Sequence, residues 1–142
     1  MNSRDASKGD LLSIERLLCS SHLPSEDIVG HIDNFVVIEE NEKIIGVGGL
    51  EISGGVGLIR SIVVAPEHRG IGVGKKIFKL LEIKANDLGL NTLYLLTDSA
   101  EEYFRKLGFL TKDRTDVPLS VMETKQFKEL CPPSATVMFR DL

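Results

Sequence analysis

The chain has 142 residues, of which 42% are hydrophobic and 27% are charged, and its formal net charge is −4. This length and composition predict one globular domain over residues 1–142 with its own hydrophobic core. The acidic balance and the lack of a basic run argue against a nucleic-acid partner. No apolar run approaches the roughly 20 residues of a membrane span, and no signal-peptide pattern opens the chain. We therefore expect a cytoplasmic protein with no membrane partner.

The cysteines and histidines are scattered along the chain. Cys19 and Cys131 lie far apart, and His22, His31 and His68 show no spacing typical of a ligand cluster. This arrangement predicts no metal site and is compatible with a reducing cytoplasm.

Hydrophobic periodicity and turn residues predict alternating helices and strands. Residues 2–5 form only a short, polar candidate for a first strand. Because a helix connects the strands predicted over 58–64 and 93–96, those two strands should be parallel. The fold class is therefore α+β, with a mixed, mostly antiparallel central sheet flanked by helices. In chain order, the predicted elements are a helix over 8–20, a short helix starting at 24–27 with Ser25 as N-cap, strands over 35–38, 44–52 and 58–64, a helix over 73–88, a strand over 93–96, a helix from Ser99 to Lys106, and strands beginning at 109 and 136.

A glycine-rich loop, Arg69-Gly70-Ile71-Gly72-Val73-Gly74, follows the third clear strand and leads directly into a helix. Such a loop directs backbone N–H groups and the positive end of a helix dipole at one point, where phosphates bind. A Walker A loop does not fit, because Arg69 replaces its first glycine and Lys76 replaces its Ser or Thr. The dinucleotide fingerprint G-x-G-x-x-G does not fit either. A flexible strand-to-helix turn is the alternative.

The pattern Arg-Gly-x-Gly-x-Gly after a strand resembles the acetyl-CoA pyrophosphate loop of the GNAT N-acetyltransferase superfamily. The helix that ends in Gly108-Phe109 is similar to a second block of that superfamily, and the resemblance covers nearly the whole chain. It implies a GNAT-like sheet with a parallel β-α-β crossover at the acetyl-CoA site, where two strands splay apart. It also implies acetyl-CoA as co-substrate and an amine as acceptor. The cofactor-binding residues implied are Ile62, Val63 and Val64 for pantetheine, and Arg69, Gly70, Ile71, Gly72, Val73, Gly74 and Lys75 for the pyrophosphate.

The C-terminal residues resemble those of small acetyltransferases associated with arsenic resistance. The block from Tyr94 to Phe104 fits that subgroup and is also similar to the acetylating domain of N-acetylglutamate synthases. The resemblance implies that the acceptor is the α-amine of a small amino acid or an amino-acid-like toxin. A homodimer remains an option for the assembly. The C-terminal residues that carry the subgroup resemblance are Thr124, Phe127, Leu130-Cys131-Pro132 and Ser134-Ala135.

The general acid is ambiguous. Many GNAT members place a tyrosine where this chain has Phe104, and the neighbouring Tyr103 is rotated by about 100° along a helix. Tyr103 is the candidate acid, with packing or substrate contact as alternatives. Thr97 is a candidate substrate contact. The missing family tyrosine keeps a second hypothesis open, a non-catalytic acyl-CoA sensor.

The general base is also ambiguous. Members of the GNAT superfamily often place a glutamate on the strand before the loop, and residues 58–64 of this chain contain none. Glu51 is the nearest candidate, and a solvated strand-end carboxylate is its alternative. A site without a strong base favours α-amines, which are less basic than lysine side chains. Arg60, predicted on the same strand face as Ile62 and Val64, is a candidate clamp for an acceptor carboxylate, phosphinate or arsonate. A surface ion pair is the alternative for Arg60.

Overall fold

The computed structural model describes residues 1–124, 127–128 and 134–142. Over these residues the strands form one mixed sheet flanked by helices, which confirms the predicted α+β class. Short 3₁₀ turns at Lys8–Asp10, Ile28–Asn34, Pro66–His68 and Arg114–Asp116 connect the elements. The strands are β1 (Asn2–Asp5), β2 (Phe35–Glu40), β3 (Lys43–Ser53), β4 (Val56–Val64), β5 (Thr92–Thr97), β6 (Leu110–Lys112) and β7 (Thr136–Asp141), and the helices are α1 (Leu11–Ser20), α2 (Val73–Asp87), α3 (Glu101–Lys106) and α4 (Leu119–Met122).

The sheet order is β1-β2-β3-β4-β5-β7-β6. The pairs β1–β2, β2–β3, β5–β7 and β6–β7 are antiparallel, whereas β4 and β5 are parallel as predicted. The parallel ladder joins Val56 to Thr92 and ends where Leu58 meets Tyr94, although both strands continue. This early end of the ladder agrees with the splayed pair that the GNAT resemblance implies.

The chain divides into two compact units. The first unit comprises Met1–Glu51 and Ser61–Lys84, and the second comprises Ile52–Arg60 and Ala85–Leu142. Each unit has its own apolar cluster.

The core of the first unit forms because α1 is amphipathic. Ile14 and Leu18, one turn apart on one face of α1, are fully buried. They pack with strand residues that point to the same side of the sheet, such as Val37 and Val47. The complete buried cluster is Ala6, Ile14, Leu18, Ile28, Ile32, Phe35, Val37, Val47 and Val63.

The core of the second unit gathers residues from strands that are distant in sequence. Leu58 on β4, Tyr94 on β5 and Val137 on β7 are buried together with Val117 and Val121. The antiparallel register of β5 and β7, with Tyr94 opposite Phe139, holds this cluster in place.

The predicted helix starts need correction at two places. The segment predicted to begin a helix at 24–27 is instead followed by the 3₁₀ turn Ile28–Asn34, with Asp27 rather than Ser25 at its N-cap position. Helix α3 begins at Glu101 rather than near Ser99, because the Thr97 hydroxyl accepts a hydrogen bond of 3.0 Å from the Ala100 N–H and closes a turn first. No helix within the described ranges is long and apolar enough to cross a membrane.

Candidate functional site

The glycine loop is attached to the sheet on both sides of its first turn. The Ala65 N–H, just after β4, donates a hydrogen bond of 2.8 Å to the Ile45 carbonyl on β3. In the 3₁₀ turn that follows, His68 Nε2 lies 2.6 Å from Glu40 Oε2 at the end of β2. These two contacts fix the place where the chain leaves the sheet and enters the loop.

The Arg69 guanidinium hydrogen-bonds to residues outside the loop. Its Nε donates to the Val64 carbonyl at 2.9 Å, and its Nη2 donates to Ser21 Oγ at 3.3 Å. The Val64 carbonyl belongs to the strand segment predicted to contact pantetheine. Arg69 therefore connects the end of that strand to the loop, and its side chain remains exposed to solvent.

Two glycines give the loop its shape. Gly70 has φ 82° and Gly72 has φ 90°, which are left-handed conformations that side-chain-bearing residues rarely adopt. A Cβ placed on either glycine would meet no atom within 4 Å, so the space in front of them is open. Both residues are exposed. The two glycines thus present bare backbone to solvent immediately before α2.

The start of α2 completes an anion-binding arrangement. Its first regular hydrogen bond runs from the Lys76 N–H to the Gly72 carbonyl at 3.0 Å. The amides of Val73, Gly74 and Lys75 precede that bond and point out of the helix end. The helix dipole adds partial positive charge there, and Lys75 is an exposed cation in the same turn. This geometry suits a phosphate group.

The central part of β4 departs from regular strand geometry at Ser61, which has φ 58°. On one side of the sheet Val63 is 4% exposed and joins the cluster around α1. Ile62 lies beside Gly48, on the face that Ile77 of α2 covers. The prediction that Arg60 shares a face with Ile62 and Val64 assumed unbroken alternation, which the left-handed Ser61 interrupts.

Arg60 is not a surface residue. It is only 4% exposed and takes part in a further interaction. The alternative of a surface ion pair is therefore wrong, because only a small part of this arginine is exposed to solvent.

Glu51 is also buried, at 6% exposure, so its solvated alternative is wrong. Its Oε1 lies 2.8 Å from His31 Nε2. Asp27, His31 and Glu51 each offer one possible metal-ligand atom, and these three atoms lie within 4.8 Å of one another. The expectation that the histidines join no cluster is therefore wrong for His31. The four-residue spacing of Asp27 and His31 in a predicted helix indicated that the two side chains could share a face. No local pattern pointed to Glu51, because it comes from a strand that is distant in sequence.

Tyr103 and Phe104 occupy different environments. The Phe104 ring packs edge-on against the buried Phe109 ring, at 6.0 Å between centroids and 70°. Tyr103 packs edge-on against Phe104 at 5.2 Å but remains 43% exposed. Partial burial raises the pKa of the Tyr103 phenol. Thr97, the other hydroxyl predicted near the site, accepts the hydrogen bond from the Ala100 N–H.

Part of the C-terminal motif lies outside the described residues, namely 130–133, which include Cys131. Phe127 packs against the cluster of the second unit, and the Arg114 guanidinium lies 4.9 Å from its ring centroid. The Thr124 hydroxyl donates to the Val121 carbonyl at 2.7 Å. These contacts give Thr124 and Phe127 structural roles.

The match to a known family includes the glycine loop. A family model described as an acetyltransferase (GNAT) domain matches residues 31–110, which is more than half of the chain and extends from His31 to the first residue of β6. The chain belongs to the GNAT acetyltransferase family. It is an N-acetyltransferase domain, and acetyl-CoA is the co-substrate of this family.

Curated relatives agree with this assignment. The chain is 37% identical over 89 residues to an amino-acid acetyltransferase of Ralstonia nicotianae, which corresponds to 61% of this chain and 20% of that protein. It is 30% identical over 92 residues to an uncharacterized N-acetyltransferase of Bacillus subtilis, covering 62% of this chain and 66% of that one. The GNAT domain thus spans about a fifth of the length of the amino-acid acetyltransferase it matches.

Solved structures show the same fold. N-acetylglutamate synthase from Neisseria gonorrhoeae, complexed with coenzyme A and N-acetyl-glutamate, superposes with a TM-score of 0.86 at 23% identity, over 99% of this chain and 35% of that one. A Mycobacterium tuberculosis protein in complex with CoA and NLQ gives 0.84 at 23% identity, over 100% and 99% of the two chains. At this level of identity the comparison establishes the GNAT fold.

Proposed function

We propose that this GNAT domain transfers the acetyl group of acetyl-CoA to the α-amine of a free amino acid. The observation that carries the proposal is the exposed loop with left-handed Gly70 and Gly72 at the start of α2. Its open backbone amides suit the pyrophosphate of the donor. The residues from Arg69 to Lys75 would hold that pyrophosphate, with the Arg69 guanidinium bracing the loop.

The acceptor class is supported by the relatives rather than by the site alone. Several of the matched curated proteins are amino-acid acetyltransferases. The solved structure with the TM-score of 0.86 carries N-acetyl-glutamate. A preference for α-amines was predicted for a site without a strong base, and His31 beside Glu51 offers a candidate base. The acceptor class therefore rests on homology, and glutamate is the first amino acid to test.

The remaining roles follow the chemistry of acyl transfer. The oxyanion formed at the thioester carbonyl needs N–H donors, and the backbone of Ile62, Val63 and Val64 would supply them and hold pantetheine. Tyr103 would protonate the departing thiolate, because a phenol with the ordinary pKa of about 10 carries its proton at neutral pH; partial burial raises that pKa further.

Arg60 and Thr97 would contact the acceptor. A buried guanidinium can bind a carboxylate through two parallel hydrogen bonds, a geometry that lysine cannot reproduce. Arg60→Lys keeps the charge and removes the fork, so it should raise the KM for the amino acid and leave the Kd of acetyl-CoA unchanged. Unaltered acceptor kinetics would remove Arg60 from the site.

The test of the proposed function is a CoA-release assay with a panel of amines. The panel contains free amino acids, phosphinic and arsinic glutamate analogues, polyamines, and lysine peptides with blocked N-termini. Saturable release with free amino acids is the expected result. Preferred release with the arsinic analogue would support the arsenic-resistance subgroup, a prediction that rests on sequence motifs. Acetyl-CoA binding without thiol release on any amine would support the alternative of a non-catalytic sensor.

The cellular setting and the assembly remain predictions. We place the reaction in the cytoplasm, where the exposed free thiol of Cys19 would stay reduced. A homodimer would be detected by light scattering during gel filtration.

A further inference from the structure

His31, in the 3₁₀ turn Ile28–Asn34, has none of the roles proposed above. Its side chain is 32% exposed, and its Nε2 lies 2.8 Å from Oε1 of Glu51, whose side chain is only 7% exposed. The carboxylate of Asp27, at the N-cap position of the same turn, lies within 4.8 Å of both donor atoms. An accessible imidazole is thus held by a buried carboxylate, with a second carboxylate nearby.

This arrangement orients the imidazole for proton transfer. When the Nε2–H donates to the Glu51 carboxylate, Nδ1 carries the lone pair and can accept a proton. A carboxylate that holds one imidazole nitrogen fixes the tautomer and stabilises the imidazolium once it forms. Glu51, whose side chain is 7% exposed, already holds the imidazole, so the more accessible His31, 32% exposed, is the base of this cluster.

The position of the cluster along the sheet fits an acceptor site. The contact between Ile45 and Ala65 marks the end of β3 nearest the glycine loop. Glu51 lies six residues further along β3, roughly 20 Å of strand from that end. A donor anchored by its pyrophosphate at the loop, with pantetheine along Ile62–Val64, would direct its acetyl group away from the loop towards this end of the unit.

We propose that His31, held by Glu51, is the general base that deprotonates the acceptor ammonium; this inference rests on the proposed function. The ammonium gives one proton to His31 Nδ1, and the free amine attacks the thioester carbonyl. A C–N bond forms and the C–S bond breaks. The acetylated nitrogen passes its second proton to the departing thiolate, so CoA leaves as the free thiol. The proton on His31 then goes to solvent.

A metal centre is the competing use of these ligand types. Asp27, His31 and Glu51 each offer one ligand atom, and these atoms lie within 4.8 Å of one another. An accessible imidazole held by one buried carboxylate is also the arrangement of a general base, which is the use proposed here.

The test uses His31→Gln, because the glutamine amide can replace the Nε2–H bond to Glu51 but cannot accept the proton. The matched control is His22→Asn, a change at an exposed histidine with φ 58°, a conformation that asparagine tolerates. The substrates are the amino acid with the highest kcat/KM in the panel above and its 3-fluoro analogue, whose amine is less basic. Acetyl-CoA affinity and melting temperature are measured for each variant.

His31→Gln should lower kcat/KM for the parent amino acid by about 100-fold, with acetyl-CoA affinity and melting temperature unchanged. The loss should be smaller for the 3-fluoro analogue, because a larger fraction of that amine is already deprotonated. An equal loss on both amines, or no loss, overturns the role of His31 while the proposed function stands. Wild-type protein that releases no CoA with any amine overturns the proposed function, and this inference with it.

Discussion

Gly72→Ala tests the proposed phosphate-binding role of the glycine loop. Gly72 has φ 90°, and its carbonyl accepts the first regular hydrogen bond of α2. A Cβ there meets no atom within 4 Å, so the substitution causes backbone strain rather than a steric clash. Holding a non-glycine residue in a left-handed conformation costs about 1–2 kcal/mol.

The backbone strain in Gly72→Ala should mainly weaken the binding of acetyl-CoA. In the free protein the exposed loop can relax to another conformation, whereas bound pyrophosphate requires the left-handed one. A differential cost of about 1–2 kcal/mol corresponds to a roughly 5- to 30-fold higher Kd for acetyl-CoA, measured by isothermal titration calorimetry. Acetyl-pantetheine lacks the pyrophosphate, so Gly72→Ala should leave the KM for this truncated donor unchanged.

The matched control is Gly89→Ala, at the end of α2. Gly89 also has a left-handed φ, 74°, and its Cβ would also meet no atom within 4 Å. The substitution should lower the melting temperature through the same strain and leave the Kd of acetyl-CoA unchanged. The reasoning is refuted if Gly72→Ala binds acetyl-CoA as tightly as wild type, or if it weakens acetyl-CoA and acetyl-pantetheine equally.

Other changes test stability and the general acid. Gly49→Ala should lower the melting temperature by several degrees, because its Cβ would overlap the buried Phe35 ring and overpacking costs about 1–3 kcal/mol; an unchanged value contradicts this packing. Hydrogen bonds from Arg4 hold the pKa of Asp10 at about 2, so their stabilisation exists above about pH 4 and disappears as Asp10 protonates towards pH 2. In urea titrations, Arg4→Met should lower the free energy of unfolding by about 1 kcal/mol at pH 7 and by little at pH 2. The value at pH 7 is modest because Arg4 is partly exposed and solvent screens its charge. An equal loss at both pH values would show that the Arg4–Asp10 contact is not its source. Tyr103→Phe should lower kcat about 100-fold without changing the Kd of acetyl-CoA, and an unaltered kcat excludes Tyr103 as the acid. Because burial raises the pKa of the Tyr103 phenol, the kcat of the wild type should not fall through deprotonation of this group below about pH 10.

Local sequence signals were sufficient for the scaffold and for the shape of the glycine loop. The 3.6-residue period that buries Ile77 and Leu81 predicted α2, and its end at Gly89 was confirmed by a left-handed φ. The spacing of Gly70 and Gly72 directly after a strand predicted an exposed-backbone turn, and both glycines have a left-handed φ; phosphate binding there stays a prediction. Both signals lie within a few residues, so they needed no knowledge of distant contacts.

The acceptor side depends on contacts that no local pattern records. Glu51 reads as a solvated strand end, but the pairing of Phe35 with Gly49 brings the 3₁₀ turn that carries His31 beside it. Ser61 reads as an ordinary strand residue, although its left-handed φ interrupts the alternation on which the orientation of Arg60 was predicted. Register and single backbone angles are set by the whole fold, so these features emerged only from the structure.

The most direct test of the central claim is a competition in one reaction. The protein is incubated with acetyl-CoA, an equimolar mixture of the proteinogenic amino acids and a lysine peptide with a blocked N-terminus, and tandem mass spectrometry identifies each acetylated nitrogen. The account predicts acetyl groups on the α-nitrogen of one or a few free amino acids. Acetylation confined to the peptide lysine, or none at all while acetyl-CoA binds, would contradict it.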